Sequence, residues 1–394
     1  MKIIEIGSDR NLQKEFITLP IRLYTSNKFW IRPLDKDVEG VFDPTKNKFF
    51  KGGECTRWLA INENGETVGR IAAFINQQTA SKGNDQPTGG TGFFECIDDQ
   101  NTANQLFDTC RTWLLERGME AMDGPINFGE RDRFWGLLVD GYDKEPLYGM
   151  GYHHPYYRNL FENYGFQDYF QQFTYWTPLP EAQVRSRIND SFFQRAQRIY
   201  ATPGYDFIHI KKNQLPKFAE DFRVIYNQAW AGHLGVGDMT SEKANALMNQ
   251  MKPILDEELV WFGYYEGVPI AFFIMLPELN QLFKYVNGKL DLIGKIKVGY
   301  HQLMKTNKRA FGVIFGVVPE YQRKGVESAI ALSFSKVAWH KECQYTDLEF
   351  NWIGDFNRKM IRFVQLLGAE PTKTHITYRY LFDRTKEFKR HPII

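Results

Sequence analysis

The two halves of the sequence contain a similar segment, built as two apolar runs joined by a tight turn. One segment is WLAINENGETVGRIAAFI from Trp58, and the other is WFGYYEGVPIAFFIM from Trp261. A glycine, Gly65 or Gly267, stands at each turn, where positive φ angles are needed. Such self-similarity indicates two units of one architecture. We therefore expect Trp58 and Trp261 to occupy equivalent strands of two related hairpins.

Each hairpin is followed by a helix-like stretch that ends in glycine and then by a β-rich tail. Gly165 and Gly368 end these stretches, and each lies the same number of residues after its tryptophan. A chain of 394 residues is also too long for one small core. The prolines of TPLPEAQVRSRIND, residues 177–190, interrupt the strand pattern. We therefore expect a boundary near Pro180, with domains at 1–180 and 181–394.

Apolar periodicity in the second half predicts alternating strands and helices. We expect strands at 207–210, 310–318 and 346–352, and helices at 215–230, 241–255, 325–341 and 356–367. The segment 278–309 is expected to be a long irregular insertion. The predicted fold class is α/β, of the α+β kind with a mixed sheet, in two tandem units.

The most informative stretch is GVVPEYQRKGVESAIALSFSKVAW, residues 316–339, in which an apolar strand passes through a basic turn into a helix. The start of such a helix presents unpaired N–H groups and a positive dipole end, which suit a phosphate or pyrophosphate. Gly325 permits the close backbone approach that this loop needs. Gln322, Arg323 and Lys324 add hydrogen bonds and charge. The alternative is a solvated basic turn that only starts a helix.

At these residues the sequence resembles the GNAT superfamily of N-acetyltransferases, whose pyrophosphate loop reads Q/R-x-x-G-x-G/A after a V-x-P-x-x lead. VVPEY supplies the lead, and QRKGV supplies most of the loop. LEFNWIGDFNRKMIRFVQLLGAE is similar to the fifth strand and following helix of the family. The resemblance covers both halves and implies two tandem GNAT-like domains with acetyl-CoA or a longer acyl-CoA as co-substrate and no metal. The implied cofactor-binding residues are Val317, Val318, Gln322, Arg323, Lys324, Gly325, Val326, Ser328 and Asn357.

The resemblance also implies acyl transfer to an amine, either a small molecule or an amino-acid-like acceptor. Backbone N–H groups at 315–318 would bind the developing oxyanion. Glu349 is the nearest carboxylate by motif position and would serve as the base, with Asn351 beside it. The alternative for both residues is the ordinary polarity of a strand. The acceptor pocket is expected at 230–239, with Trp230 and His233 as candidate substrate contacts.

Two positions depart from the family pattern. Glu327 stands where Gly or Ala lets the helix approach pyrophosphate, and Val364 stands where many members carry a tyrosine that protonates the leaving thiolate. In the first half, Asp98 and Asp99 stand at the corresponding helix entrance, which suits a helix cap and not a bound pyrophosphate. Coenzyme A is therefore expected in the second half alone, and the first half is expected to be degenerate.

These departures leave two alternatives to an acetyltransferase open. The first is a non-catalytic GNAT-like protein that binds a ligand or serves as a scaffold. The second is an enzyme with a longer acyl donor. In that case the acyl tail is expected to contact the apolar side chains of the insertion, Leu282, Phe283, Tyr285, Leu290 and Ile293.

Composition argues against several classes of partner. The 49 basic and 47 acidic residues give a net charge of +2, too small for a field that attracts nucleic acid or an anionic membrane. The 4 cysteines are far apart and lack metal-ligand spacing, which favours reduced thiols and a cytoplasmic protein. The longest apolar stretch, 260–276, is interrupted by Gly267 and Pro269, so no membrane span is expected. The first residues alternate like a strand and predict no signal peptide.

Overall fold

The fold is described from a computed structural model that covers residues 1–81, 83–230 and 238–392. Strands, helices and short 3-10 turns alternate along this part of the chain. The strands are β1 (Lys2–Glu5), β2 (Gly53–Ile61), β3 (Thr67–Asn76), β4 (Thr88–Cys96), β5 (Ala121–Gly124), β6 (Leu137–Asp140), β7 (Gln167–Pro178), β8 (Tyr205–His209), β9 (Val260–Tyr265), β10 (Val268–Pro277), β11 (Arg309–Val317), β12 (Asp347–Gly354) and β13 (Glu370–Leu381). The α-helices are α1 (Arg10–Leu23), α2 (Asp35–Val41), α3 (Gln77–Ala80), α4 (Gln100–Leu115), α5 (Tyr157–Tyr164), α6 (Glu181–Val184), α7 (Asp190–Ala201), α8 (Leu215–Trp230), α9 (Ser241–Met251), α10 (Asn280–Phe283), α11 (Leu292–Leu303), α12 (Val326–Ala338) and α13 (Arg358–Leu366). The 3-10 turns are Lys48–Lys51, Lys212–Gln214, Glu257–Leu259 and Pro319–Tyr321.

One mixed sheet runs through both halves in the order β1-β2-β3-β4-β5-β13-β7-β12-β11-β10-β9-β8, with β6 paired to β13 outside this path. The order is symmetric about the β13–β7 pair. Only the pairs β4–β5 and β11–β12 are parallel among the described strands, and they occupy matching places. Trp58 lies in β2 and Trp261 in β9, the second strand from each end. The predicted pseudo-repeat and the mixed α/β class are confirmed.

The last strand of each half lies in the sheet of the other half. β7, from the first half, pairs with β12, while β13, from the end of the chain, pairs with β5. The two exchanged strands pair with each other over most of their length. The predicted boundary near Pro180 falls directly after β7. The exchange joins the halves by backbone hydrogen bonds in addition to side-chain packing.

Helices cover both faces of the sheet because its central strands bury both sets of alternating side chains. In β10, Phe272 packs in the cluster beneath α8 and α9, whereas its neighbour Phe273 packs in the cluster beneath α7, α12 and α13. In the first half, Ile71 of β3 packs in the cluster that includes Phe107 of α4. These clusters place α12 and α13 on one face of the strand pair β11–β12.

The predicted elements of the second half are present with small changes of boundary. The helix predicted at 215–230 is α8, whereas the helix predicted at 241–255 ends at Met251. The strand predicted at 310–318 is β11, and the helix predicted at 325–341 is α12. The segment 278–309 is not irregular, because it contains α10 and α11. Leu282 and Phe283 of α10 pack against Leu34 of the first half, so this insertion braces the two halves.

Candidate functional site

A cleft opens where the parallel strands β11 and β12 separate. Their pairing runs from Arg309 opposite Asp347 to Gly312 opposite Phe350 and then ends. Val313 is an extra residue in β11, because Ile314 pairs with Ile274 of β10 while Gly312 pairs with Met275. Such a bulge bends a strand and increases its twist. The resulting cleft has a volume of about 160 Å³. Its lining residues are Phe273, Gly312, Val313, Ile314, Phe315, Phe350, Asn351, Trp352, Ile353, Asn357 and Met360.

Two of the predicted site residues lie at this cleft. Asn351 is half-buried in β12, and its Oδ1 accepts a hydrogen bond from Thr174 Oγ1 at 3.3 Å. Asn357 lies before α13, where its side chain accepts a hydrogen bond from the N–H of Met360 at 3.2 Å. Asn357 therefore caps the first turn of α13. Both amides are in position to contact a molecule that enters between the strands.

The basic loop connects the end of β11 to the start of α12. Gln322 Nε2 donates a hydrogen bond to the carbonyl of Val317 at 2.9 Å, which fixes the loop to the strand. Arg323 and Gly325 both have left-handed backbone, with φ of 63° and 108°. The side chains of Gln322, Arg323 and Lys324 are exposed. Val317, Val318, Val326 and Ser328 are buried and do not line the cleft.

Glu327 reaches back into this loop from the first turn of α12. Its Oε1 accepts a hydrogen bond from the backbone N–H of Arg323 at 3.0 Å. A carboxylate at this place takes one of the donors, and part of the favourable potential, that an incoming phosphate would use. Helix α7 closes the other side, since a Cβ on Gly325 would meet the carbonyl of Arg195 at 3.0 Å. The loop is therefore fixed on one side by the hydrogen bond to Glu327 and covered on the other side by α7.

Glu349 lies at the closed end of the strand pair and not in the open cleft. It is 1% exposed, its Oε1 lies 2.7 Å from Arg309 Nη1, and its Oε2 lies 2.6 Å from Lys373 Nζ. Arg309 also pairs with Asp347. Burial lowers the pKa of Lys373, while the nearby Glu349 charge opposes this shift. Both oxygens of Glu349 are engaged, so the carboxylate would have to break an ion pair to accept a proton.

The other candidate residues are placed as follows. Trp230 ends α8, and its side chain lies outside the described part of the chain, as does His233. Val364 of α13 is fully buried in the core and presents no group to a leaving thiolate. The apolar residues Leu282 and Phe283 are buried against the first half, whereas Ile293 faces solvent, so these three do not line one common channel.

The first half contains a matching separation of strands. β4 and β5 pair from Thr88 opposite Ala121 to Gly90 opposite Asp123, and a cavity of about 70 Å³ lies beyond. Its polar lining includes Arg70, Glu95 and His153. As predicted, Asp99 caps the next helix, since its Oδ2 accepts a hydrogen bond from Thr102 N at 2.7 Å.

Glu95 is the centre of a buried polar cluster in this cavity wall. Its Oε2 accepts hydrogen bonds from Tyr24 at 2.9 Å and Tyr157 at 2.8 Å, and Oε1 lies 3.4 Å from Arg70. Burial raises the pKa of Glu95 and lowers that of Arg70. The sequence analysis missed this cluster because its members are far apart along the chain. A usable signal was present, since Arg70 and Glu95 are each the single charged residue of their strand.

His153 lies in the same cavity as a neutral imidazole. Its Nδ1 accepts a hydrogen bond from the backbone N–H of Leu138 at 3.0 Å. Burial lowers the pKa of His153 to about 3, so the ring stays uncharged at neutral pH. Among the described residues there is no group of three His, Cys, Asp or Glu side chains that could hold a metal ion.

Two known proteins are similar in sequence to nearly the whole of this chain. No protein-family model matches the chain. A bacterial ceramide synthase from Caulobacter vibrioides (strain NA1000 / CB15N) is 27% identical over 380 residues, covering 96% of this chain and 97% of that protein. Protein YghO from Escherichia coli (strain K12) is 25% identical over 379 residues, covering 94% and 93% of the two chains.

Solved structures support the architecture. A tandem GNAT protein from the clavulanic acid biosynthesis pathway aligns with a TM-score of 0.54 at 11% identity, covering 98% of this chain and 99% of its own. A GCN5-related glucosamine N-acetyltransferase region from a fungal multi-domain β-N-acetylglucosaminidase also gives a TM-score of 0.54 at 11% identity, over 96% of this chain and 38% of that one. The fold is therefore that of tandem GNAT proteins. Within the described ranges, no helix has the length and apolar character required to cross a membrane.

Proposed function

We propose that this chain, which has the tandem GNAT fold, is an acyl-CoA-dependent N-acyltransferase whose acyl donor binds in the C-terminal half. The observation that carries the proposal is the cleft between β11 and β12, which opens on the same strand that leads into the basic loop at 322–326. A CoA pyrophosphate at the loop and a thioester in the cleft would then contact one continuous strand. Arg323 and Lys324 would supply charge to the phosphates.

In the proposed chemistry, the backbone N–H groups of β11 stabilise the negative charge that develops on the thioester oxygen. Pairing with β12 ends at Gly312, so this edge of β11 is available to the thioester carbonyl at 313–315. An amine attacks that carbonyl, a C–N bond forms, and the oxyanion is stabilised by strand N–H groups. The C–S bond then breaks, and the proton lost by the amine passes through water to the thiolate sulfur, so that CoA leaves as its thiol. Glu349, placed between Arg309 and Lys373, holds the closed end of the cleft; its role as base stays a separate prediction.

We propose a long-chain acyl donor and a long-chain amino-alcohol acceptor. A ceramide is the amide of a fatty acid with such an amino alcohol, and the Caulobacter relative is named for its synthesis. A small apolar cavity of about 40 Å³ beneath α12 shares Phe273 and Phe350 with the cleft. These rings lie with centroids 6.4 Å apart and nearly parallel, and they line both the cleft and this apolar space. An acyl chain would gain by entering this space.

The test measures amide formation directly. Purified chain is mixed with acetyl-CoA or hexadecanoyl-CoA and either a long-chain amino alcohol or a small water-soluble amine, and both thiol release and the amide mass are recorded. We expect release and amide with the hexadecanoyl donor and the long-chain acceptor. Release without amide, or no reaction with any pair, would contradict the proposal.

A variant at the cleft provides the matched control. Gly312→Leu places side-chain atoms between the strands, since a Cβ there already lies 3.1 Å from Phe350 Cδ1. Gly7→Leu introduces the same group where a Cβ meets nothing within 4 Å. We expect the first variant to lose acyl transfer and the second to retain it. Equal activity of the two variants would show that the reaction takes place elsewhere.

A non-catalytic ligand-binding protein is the second candidate, favoured by the contact of Glu327 with Arg323. In that case the carboxylate closes the phosphate seat permanently. Thermal unfolding with and without free CoA separates the candidates, because a ligand that binds the native state raises the midpoint. A rise for the natural chain supports the enzyme. A rise that appears only after Glu327→Gly supports the second candidate.

A further inference from the structure

Helix α11 carries an apolar face that points into solvent. Between 57% and 82% of the surface of each apolar residue on this face is exposed. The residues are Leu292, Ile293, Ile296, Tyr300, Leu303 and the adjoining Met304. At 3.6 residues per turn they span an arc of about 120°. An apolar stripe of this width normally faces a core.

The opposite face of α11 holds the helix to the protein. His301 stacks on Tyr285 with ring centroids 3.6 Å apart, and Val298 packs with the cluster around Phe283. Gly294 is buried, and a Cβ there would meet the carbonyl of Lys289 at 2.3 Å. The orientation of the helix is therefore fixed by its inner contacts, and the apolar side is presented outward.

Positive charge surrounds the stripe. Residues 289–308 contain Lys289, Lys295, Lys297, Lys305 and Lys308, against one acidic residue, Asp291. The Asp291 side chain caps the helix by accepting the N–H of Gly294 at 2.8 Å. The chain as a whole carries a net charge of only +2, so this is a local concentration. The small net charge of the whole chain argued against binding to an anionic membrane. That total does not describe the local charge of this surface.

We propose that α11 docks the protein on an anionic lipid surface. The exposed stripe enters the boundary between headgroups and acyl chains, and the flanking lysines contact the headgroups, as in interfacial amphipathic helices. A second copy of the chain is a poorer occupant. Two such faces in contact would bring both sets of five lysines together, and like charges at an interface oppose association.

The position of α11 links the surface to the cleft. Leu303 precedes Gly312 by nine residues, so the two lie at most roughly 30 Å apart even along an extended chain. Docking through α11 would thus hold the cleft near the membrane, where a long-chain acceptor would reside. This link to catalysis rests on the proposed function, whereas membrane binding itself does not.

The test is flotation of the full chain with lipid vesicles, in the absence of substrates. Vesicles of phosphatidylcholine are compared with vesicles of phosphatidylcholine and phosphatidylglycerol at 7:3, in low and high salt. We expect the natural chain to float with the anionic vesicles, and binding to fall as salt screens the charges. Leu292→Asp with Leu303→Asp should reduce partitioning by about tenfold or more. Lys295→Glu with Lys297→Glu should reduce it by a similar factor and weaken the salt dependence.

The control pair is Leu115→Asp with Val268→Asp, which changes two exposed apolar residues on other elements. Partitioning equal to that of the natural chain is expected. Equal binding of all variants, or binding that ignores lipid charge, would overturn the proposal. Absence of vesicle binding, with a dimer in solution that Leu292→Asp and Leu303→Asp dissociate, would identify a second copy as the occupant. Because no substrate is present, failure here is separate from failure of the acyltransferase assay.

Discussion

The ammonium of Lys373 lies 2.6 Å from Oε2 of Glu349, where at most 3% of either side chain is exposed. Lys373 belongs to β13, which lies in the sheet between β5 and β7, and Glu349 belongs to β12 on the far side of β7. The ion pair therefore spans β7, the strand that the first half contributes to the sheet of the second half. An ion pair in this place ties together the three strands on which the exchange depends.

Lys373→Met is expected to lower the free energy of unfolding by about 3 kcal/mol, because it leaves a buried carboxylate with only one of its two cationic partners. Chemical denaturation measures this loss. Lys48→Met is the control, since Lys48 lies at the same 2.6 Å from Glu130 with both side chains more than 60% exposed. The control should cost at most about 1 kcal/mol. Equal losses of unfolding free energy in the two variants would show that burial does not increase the cost of removing Lys373.

Glu349→Gln combined with Lys373→Met is expected to recover much of the stability lost in the single lysine variant, because the uncompensated charge is removed. The double variant also tests the predicted base, since it lacks the carboxylate and is expected to fold. We expect acyl transfer to persist if Glu349 only holds the cleft. A folded double variant with no turnover and a changed pH profile would instead support Glu349 as the base.

Glu327→Gly is expected to tighten CoA binding several-fold, because it frees the N–H of Arg323 and removes a negative charge from the phosphate seat. Isothermal titration gives the affinity and should report about one site per chain. Glu327→Gln is the matched variant, since it removes the charge while keeping an oxygen able to accept the same hydrogen bond. Unchanged or weaker binding in both variants would show that Glu327 is a neutral or supportive part of the site.

Arg323→Glu combined with Gly325→Asp is expected to abolish CoA binding. The first change reverses a charge at the seat, and the second places a side chain where the backbone has φ of 108° and a Cβ meets Arg195. The same titration measures the loss, and thermal unfolding without ligand verifies that the variant is folded. Retained binding in a folded variant would place the CoA site outside this loop.

The stability of the chain is expected to contain a component that falls as pH rises from about 5 to about 7, owing to Glu278. Burial raises the pKa of Glu278 to about 7, so the folded state holds a proton that the unfolded carboxyl has already released. This contribution is present below the unfolded pKa and is lost as pH rises through the folded one. Its slope is at most about 1.4 kcal/mol per pH unit. Glu278→Gln should flatten this part of the profile measured by denaturation at several pH values.

His153 is expected to give the stability a pH dependence opposite to that of Glu278. Burial lowers the pKa of His153 to about 3. Below about pH 6.5 this imidazole therefore binds a proton in the unfolded state but not in the folded state. Stability is then lost as pH falls from about 6.5 toward 3. His153→Asn keeps an acceptor for the N–H of Leu138 and removes the titration, so the acid side of the profile should become flatter. An acid side that is unchanged in the variant would contradict this assignment to His153.

The sequence alone determined the tandem repeat, the mixed α/β class and most of the helices of the second half. These features depend on local chemistry: Gly65 and Gly267 permit tight turns, and the apolar period of 215–230 is helical in any surroundings that bury one face. The pattern at 316–326 predicted a strand, a glycine-containing basic turn and a helix start for the same reason. Each of these signals operates over fewer than about twenty residues.

Tertiary structure alone decided which groups meet. The exchange of β7 and β13, the pairing of Glu349 with Lys373 and the Glu95 cluster all join residues distant in sequence, and their partners are selected by packing and by the cost of burying charge. The apolar stripe of α11 shows the same limit. Its spacing is that of a core-facing helix, but Gly294, Val298 and His301 fix the other side to the protein, so the stripe faces outward. A helical pattern specifies a face, and only the contacts of the folded chain decide what that face meets.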